Sequence, residues 1–259
     1  MQHGWLPTNR NTTNNTSMVM DLWNGSWIAA LLVGVLVWGL IIWVMVAYRR
    51  RHGDTTMPAQ VRYHLPLEIM YTAIPLMMVA VLFGYTYNAQ AAEIDTKKTP
   101  DLVIGVVAKQ WAWDFNYLTD DAYDTGVQGQ LTGKPGVEQE IPTLYLPVGE
   151  RVQFDLTSRD VIHSFWIPAF LMKMDTIPGI ENKFQVVPNR IGHFKGKCAE
   201  LCGEYHSEML FNVDVVSVAD YQAHIAQLKA EGQSGSLPTD LGRSPLAPRG
   251  PAEEAGSGN

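Results

Sequence analysis

The chain has 259 residues, 46% of them hydrophobic, and a formal net charge of −7. That length suits one large domain or two smaller ones, and the acidic balance argues against nucleic acid as a partner. A mean hydropathy near zero would fit a soluble protein, but the average conceals a sharp division along the chain.

Residues 1–26 read as a polar, Asn/Thr-rich tail. Its sequon, Asn11-Thr12-Thr13, would matter only in a eukaryotic secretory setting, which nothing else supports. From Trp27 to Tyr48 the chain reads WIAALLVGVLVWGLIIWVMVAY, without charge or proline. As a helix rising ~1.5 Å per residue it is about 33 Å long, enough to cross a hydrocarbon core about 30 Å thick. A signal peptide would carry a shorter apolar stretch behind positive charge, so residues 27–48 are expected to span a membrane. The connector, residues 49–64, holds Arg49, Arg50, Arg51 and Arg62, whereas the tail offers only Arg10. The positive-inside rule therefore places the connector in the cytoplasm and both termini outside.

Residues 65–90 form the second expected span. Pro66 suits a first helical turn, and Pro75 kinks a helix that neighbouring helices can still support. Glu68 lies near the cytoplasmic end. It either snorkels to the interface or has work to do, such as opening a proton path.

Residues 91–231 change texture. DLVIGVVAKQWAWDFNY, TLYLPVGERVQFDLTSRDVIHSFWIPAF and NKFQVVPNRIGHFKGK alternate apolar and polar residues between Gly- and Pro-marked turns, predicting strands of an antiparallel sandwich or barrel. Residues 119–142 look like a loop inserted between strands. Residues 232–259, rich in Gly, Pro and Ser, should be a disordered tail or tether.

Residues 198–209 read CAELCGEYHSEM and contain both cysteines of the chain. On an exported domain a Cys198–Cys202 disulfide is the default reading. The spacing of Cys198, Cys202, His206 and Met209 would also place them on one side of a helix, although Gly203 interrupts the run. Zinc would need only one further ligand. Methionine is a soft donor that zinc rarely uses and copper electron-transfer sites commonly use. A copper site would draw its second histidine from elsewhere, His163 in SRDVIHSFWIP being the candidate. Two thiolates could then bridge two metals.

Taken together, these segments resemble subunit II of the haem–copper cytochrome c oxidases, from the first span to about residue 225. QWAWDFNY (110–117), DVIHSFWIP (160–168), MDTIPG (174–179), EIMYTAIP (68–75) and CAELCGEYHSEM carry the likeness. It implies a two-helix membrane hairpin bearing an all-β, cupredoxin-like Greek-key sandwich. It also implies a binuclear CuA centre bridged by Cys198 and Cys202, with His163 and Met209 on one copper and His206 and the Glu200 carbonyl on the other. The Glu200 side chain would reach a magnesium ion shared with subunit I. Trp111 would be the residue that receives electrons from cytochrome c, soluble or tethered, and Glu68 would sit at the mouth of a proton path. Haem is expected only in subunit I, since no C-x-x-C-H occurs here; subunit III would be a further partner.

About twenty acids face a dozen bases between residues 88 and 231. Asp114, Asp120, Asp121, Asp124 and Asp160 lie near the aromatic and copper segments, where an acidic surface would steer a basic partner. A quinol-oxidase subunit would lack the ligand set, and a nitrous-oxide-reductase-type protein would not be expected to carry two spans. The overall character is bacterial, placing the protein in the plasma membrane, with its domain on the outer side.

Overall fold

The computed structural model describes residues 10–53, 55–129 and 141–240. The chain divides into two units, residues 18–92 and the segments that precede and follow them.

The first unit is a pair of helices, α1 (Thr16–Ala47) and α2 (Leu65–Glu93). Both are long and apolar enough to cross a membrane. Their large apolar side chains, such as Leu36, Val46 and Phe83, are exposed, as expected of a surface whose natural solvent is lipid. Helix α1 starts well before Trp27. The Thr16 hydroxyl accepts from the Thr13 N–H at 3.2 Å and donates to the Thr13 carbonyl at 2.9 Å, so a buried turn launches it. Helix α2 starts on a reciprocal cap. His64 Nδ1 accepts from the Leu67 N–H at 3.3 Å, and Glu68 Oε1 reaches back to the His64 N–H at 3.0 Å, satisfying amides that the helix cannot.

The second unit is a sandwich of two five-stranded sheets. Its strands are β1 (Leu102–Lys109), β2 (Ala112–Tyr117), β3 (Ala122–Thr125), β4 (Thr143–Pro147), β5 (Val152–Ser158), β6 (His163–Ile167), β7 (Met172–Thr176), β8 (Asn182–Val186), β9 (Gly192–Cys198) and β10 (Leu210–Val216). One sheet has the order β3-β2-β1-β5-β8, the other β4-β10-β9-β6-β7. Alternating residues fill the core: Val152, Phe154 and Leu156 from β5 meet Phe211, Val213 and Val215 from β10 in one buried cluster, as period-two strands require.

The sheets are mixed, which corrects the expectation of antiparallel pairing. β1 runs parallel to β5 and β4 parallel to β10; in both cases the paired strands are separated in sequence by other elements, so no tight turn imposes the antiparallel direction. A helix follows the sandwich, α3 (Val218–Ala230). Ser217 Oγ caps it by accepting from the Asp220 N–H at 3.1 Å, and Tyr221, Ile225 and Leu228 are its buried face.

Both polar ends are held where described. Asn14 exchanges two hydrogen bonds with Val187, through its N–H at 3.1 Å and its side chain at 2.8 Å, and the Asn189 N–H donates to the Thr12 carbonyl. Asn116 likewise clamps Leu237 through both its amide groups, so the tether expected from residue 232 is packed at its start. The stretch 119–142, expected to be a loop, instead includes strand β3 paired antiparallel with β2; its residues 130–140, and residues 241–259, lie outside the described residues.

Candidate metal centre

The donors come from three places. His163 opens β6, Cys198 closes β9, and Cys202, His206 and Met209 lie on the loop that leads into β10. That loop is not a helix: Gly203 takes φ +129°, a value L residues rarely adopt, and only a short 3-10 turn follows at His206–Glu208.

The donor atoms converge. Cys198 Sγ lies 3.9 Å from Cys202 Sγ, 3.9 Å from His163 Nδ1 and 3.2 Å from the Glu200 carbonyl oxygen. Cys202 Sγ lies 3.6 Å from His206 Nδ1 and 4.0 Å from Met209 Sδ. His163, Cys198, Cys202 and Met209 are buried, His206 is half-buried, and both cysteines are free. Two sulfurs held close but unbonded, ringed by two imidazoles, a thioether and a carbonyl, form a soft donor set suited to copper. The thioether sulfur distinguishes it from a closed Cys/His zinc site.

Two groups fix the histidine. Asp160 Oδ1 lies 2.8 Å from His163 Nε2, so the ring turns Nδ1 toward the sulfurs. Asp160 also accepts from the backbone N–H groups of Gln110 at 2.6 Å and Val161 at 2.7 Å. Burial pushes the Asp160 carboxyl up, but these hydrogen bonds outweigh it and hold the group below the usual carboxylate range. Burial likewise depresses His163, and its hydrogen bonds to Asp160 and Cys198 raise it. Between the thiols, the hydrogen bond from Cys202 draws Cys198 well down and correspondingly drives Cys202 up, so the pair shares one proton.

Trp111 sits at the rim, half-buried. Its indole N–H donates to the Cys202 carbonyl at 3.3 Å, and Gln110 Nε2 donates to the same oxygen at 2.7 Å. The Tyr205 ring stands edge-on to the indole, centroids 4.9 Å apart. Gly203 permits this approach, since a Cβ there would lie 3.0 Å from Trp111 Cζ2.

The other expected residues are spread out. The Glu200 side chain is exposed, and Glu68 caps α2. Among the five aspartates only Asp121 is fully on the surface. Asp120 accepts from the Tyr221 hydroxyl at 2.7 Å. Asp124 is partly buried, and burial raises its carboxyl to about 6. Asp114 is buried and paired with Lys109 at 2.6 Å, so it offers no contact surface. Asp160 is turned inward to His163, and its position three residues before that histidine was the available signal. Gln110 and Tyr205, each next to an assigned residue, were not singled out.

The family model described as Cytochrome C oxidase subunit II, periplasmic domain, matches residues 102–216. A probable cytochrome c oxidase subunit 2 of Streptomyces avermitilis is 45% identical over 259 aligned positions, covering 88% of this chain and 81% of that protein. The chain belongs to the cytochrome c oxidase subunit 2 family. The Mycobacterium tuberculosis cytochrome c oxidase subunit 2 is 36% identical, over 80% of this chain and 70% of its own. Among solved structures, the periplasmic domain of subunit II of Bradyrhizobium japonicum cytochrome oxidase is 29% identical. It covers 52% of this chain and 97% of that one, with a TM-score of 0.48. The chain is thus a subunit of an oxidoreductase complex. Two helices able to span a membrane and a cupredoxin-like sandwich are the architecture of the subunit 2 family, which implies CuA copper, and the donor set fits that metal.

Proposed function

We propose that this chain receives electrons from cytochrome c at a CuA centre and delivers them to haem in subunit I, where oxygen is reduced and protons are pumped. The carrying observation is the convergence of two free thiol sulfurs on two imidazoles, a thioether and a backbone carbonyl. Cys198 and Cys202 would bridge the metals, His163 and Met209 complete one, and His206 and the Glu200 carbonyl the other. When bound, the copper pair supplies a one-electron store whose geometry changes little between oxidation states, which suits rapid transfer.

The remaining work falls to the chain itself. Trp111 offers an indole at the rim with a hydrogen bond directly to a ligand's carbonyl, a short route inward for an electron. Asp160 holds His163 in the tautomer that presents Nδ1. The exposed Glu200 carboxylate is free to reach a magnesium ion shared with subunit I, and Glu68 marks the mouth of a proton path. Asp120, Asp121 and Asp124 contribute to the field that attracts a basic cytochrome c, whereas Asp114 and Asp160 are taken up by Lys109 and His163.

Topology supports this reading. Thr12 and Asn14 hydrogen-bond residues 187 and 189, and segments on opposite sides of a membrane could not. Two spans, residues 27–48 and 65–90 within α1 and α2, meet that condition. The arginines of connector 49–64 put it in the cytoplasm, leaving both termini and the 91–231 domain outside a bacterial plasma membrane.

Metal analysis of the full chain, purified in detergent and supplied with copper, tests the reading together with electron spin resonance. Two coppers per chain with hyperfine structure from an electron shared by both nuclei are expected. One zinc per chain, or a Cys198–Cys202 disulfide that persists through reconstitution, would refute it.

A further inference from the structure

Trp113 is a core aromatic by position, fully buried on β2, yet it reaches the other sheet at a particular atom. Its indole N–H donates to the Met209 carbonyl at 3.3 Å. The same carbonyl accepts from the Cys198 N–H at 3.0 Å, so one oxygen ties together the backbones of two expected ligands. The indole also stands edge-on to His163, centroids 6.3 Å apart at 61°. Phe165 and Phe211 pack against it, each at 5.5 Å. A single side chain from the first sheet therefore braces His163 and Met209, which come from different segments of the second.

We infer that Trp113 is a positioning residue for the metal centre, setting where the Met209 thioether stands relative to the sulfurs and so tuning the reduction potential. The inference rests on the copper reading above. Packing alone would be met by any large ring; a buried indole N–H must in addition find an acceptor, and here that acceptor is a ligand's own carbonyl. Weak thioether ligands are the lever by which proteins adjust copper potentials, and a restraint one residue's length from the sulfur acts on that lever.

The test compares Trp113→Phe, which keeps a ring but loses the N–H, with Phe211→Leu, which loosens the same packing but leaves the N–H in place. Both are made in the full copper-loaded chain and read by copper content, electron spin resonance and midpoint potential. Trp113→Phe should retain wild-type copper content while its spectrum and potential shift; Phe211→Leu should match the wild type in both. An unchanged spectrum and potential in Trp113→Phe would overturn the inference, as would equal shifts in the two variants. Should Trp113→Phe fail to accumulate, Trp113→His restores a ring N–H. A wild-type-like spectrum there supports the inference, and renewed failure overturns it by making bulk the requirement. Failure of the copper reading is separately visible, because the wild-type chain would then lack the two-copper spectrum.

Discussion

Replacing Asp160 by asparagine isolates the support of one ligand. The carboxylate accepts three hydrogen bonds, from the Gln110 and Val161 amides and from His163 Nε2. Gln110 uses Oδ2 whereas Val161 and His163 share Oδ1, so asparagine, with one oxygen and no charge, cannot serve all three donors. One charge-assisted hydrogen bond is lost, worth about 1.5–3 kcal/mol. At about 1.4 kcal/mol per factor of ten, that loss corresponds to roughly 10- to 100-fold weaker metal retention, the range typical of partners that orient a ligating histidine. Copper removal from the full chain by a competing chelator would measure it, with Asp121→Asn, on the exposed surface, as the control. Chelator midpoints that coincide for Asp160→Asn and wild type would show that His163 is oriented without its carboxylate.

Three further outcomes are expected. Gly196→Ala should destabilise the sandwich by about 1–3 kcal/mol or more, because the added Cβ would lie 1.9 Å from Phe211 Cζ; thermal unfolding reads the loss, and an unchanged midpoint would contradict the packing. Burial holds Asp124 at about 6, above its ordinary 3.8, so the folded chain binds that proton more tightly than the unfolded one. Its contribution to stability is therefore greatest below the lower value and is lost as pH rises through the window to the upper. Asp124→Asn should flatten that slope and stabilise the chain at pH 7 by something on the order of 1–3 kcal/mol, as denaturant titrations across pH would show. Glu68→Gln should lower turnover and proton uptake of the oxidase while α2 stays intact, because glutamine can serve the same cap; undiminished proton uptake would remove Glu68 from the proton path.

The spans were legible because hydropathy over twenty residues is a strong signal, and the cluster at 198–209 because thiol, imidazole and thioether rarely gather by chance. Pairing direction was not, since alternation says which face is buried and nothing about the neighbouring strand. Charge misled at Asp114 and Asp160: an aspartate reads as a surface residue, and only the fold reveals that Lys109 and His163 await them. Helix α3 was overlooked although Tyr221, Ile225 and Leu228 recur at helical spacing behind a serine cap. Trp113 is buried on β2, but no pattern along that strand could reveal that its N–H would meet Met209.

The pairing of Asn14 with Val187 joins parts of the chain separated by both membrane helices and most of the sandwich. Contacts so distant in sequence close late, because their loop entropy must be met before they contribute. The contact can form only where the N-terminal segment and residue 187 lie on the same side of a membrane. A chain that inserted only one of its two helices would leave the Val187 amide and carbonyl without these partners. The margin beside β8 thereby couples completion of the sandwich to insertion of both helices.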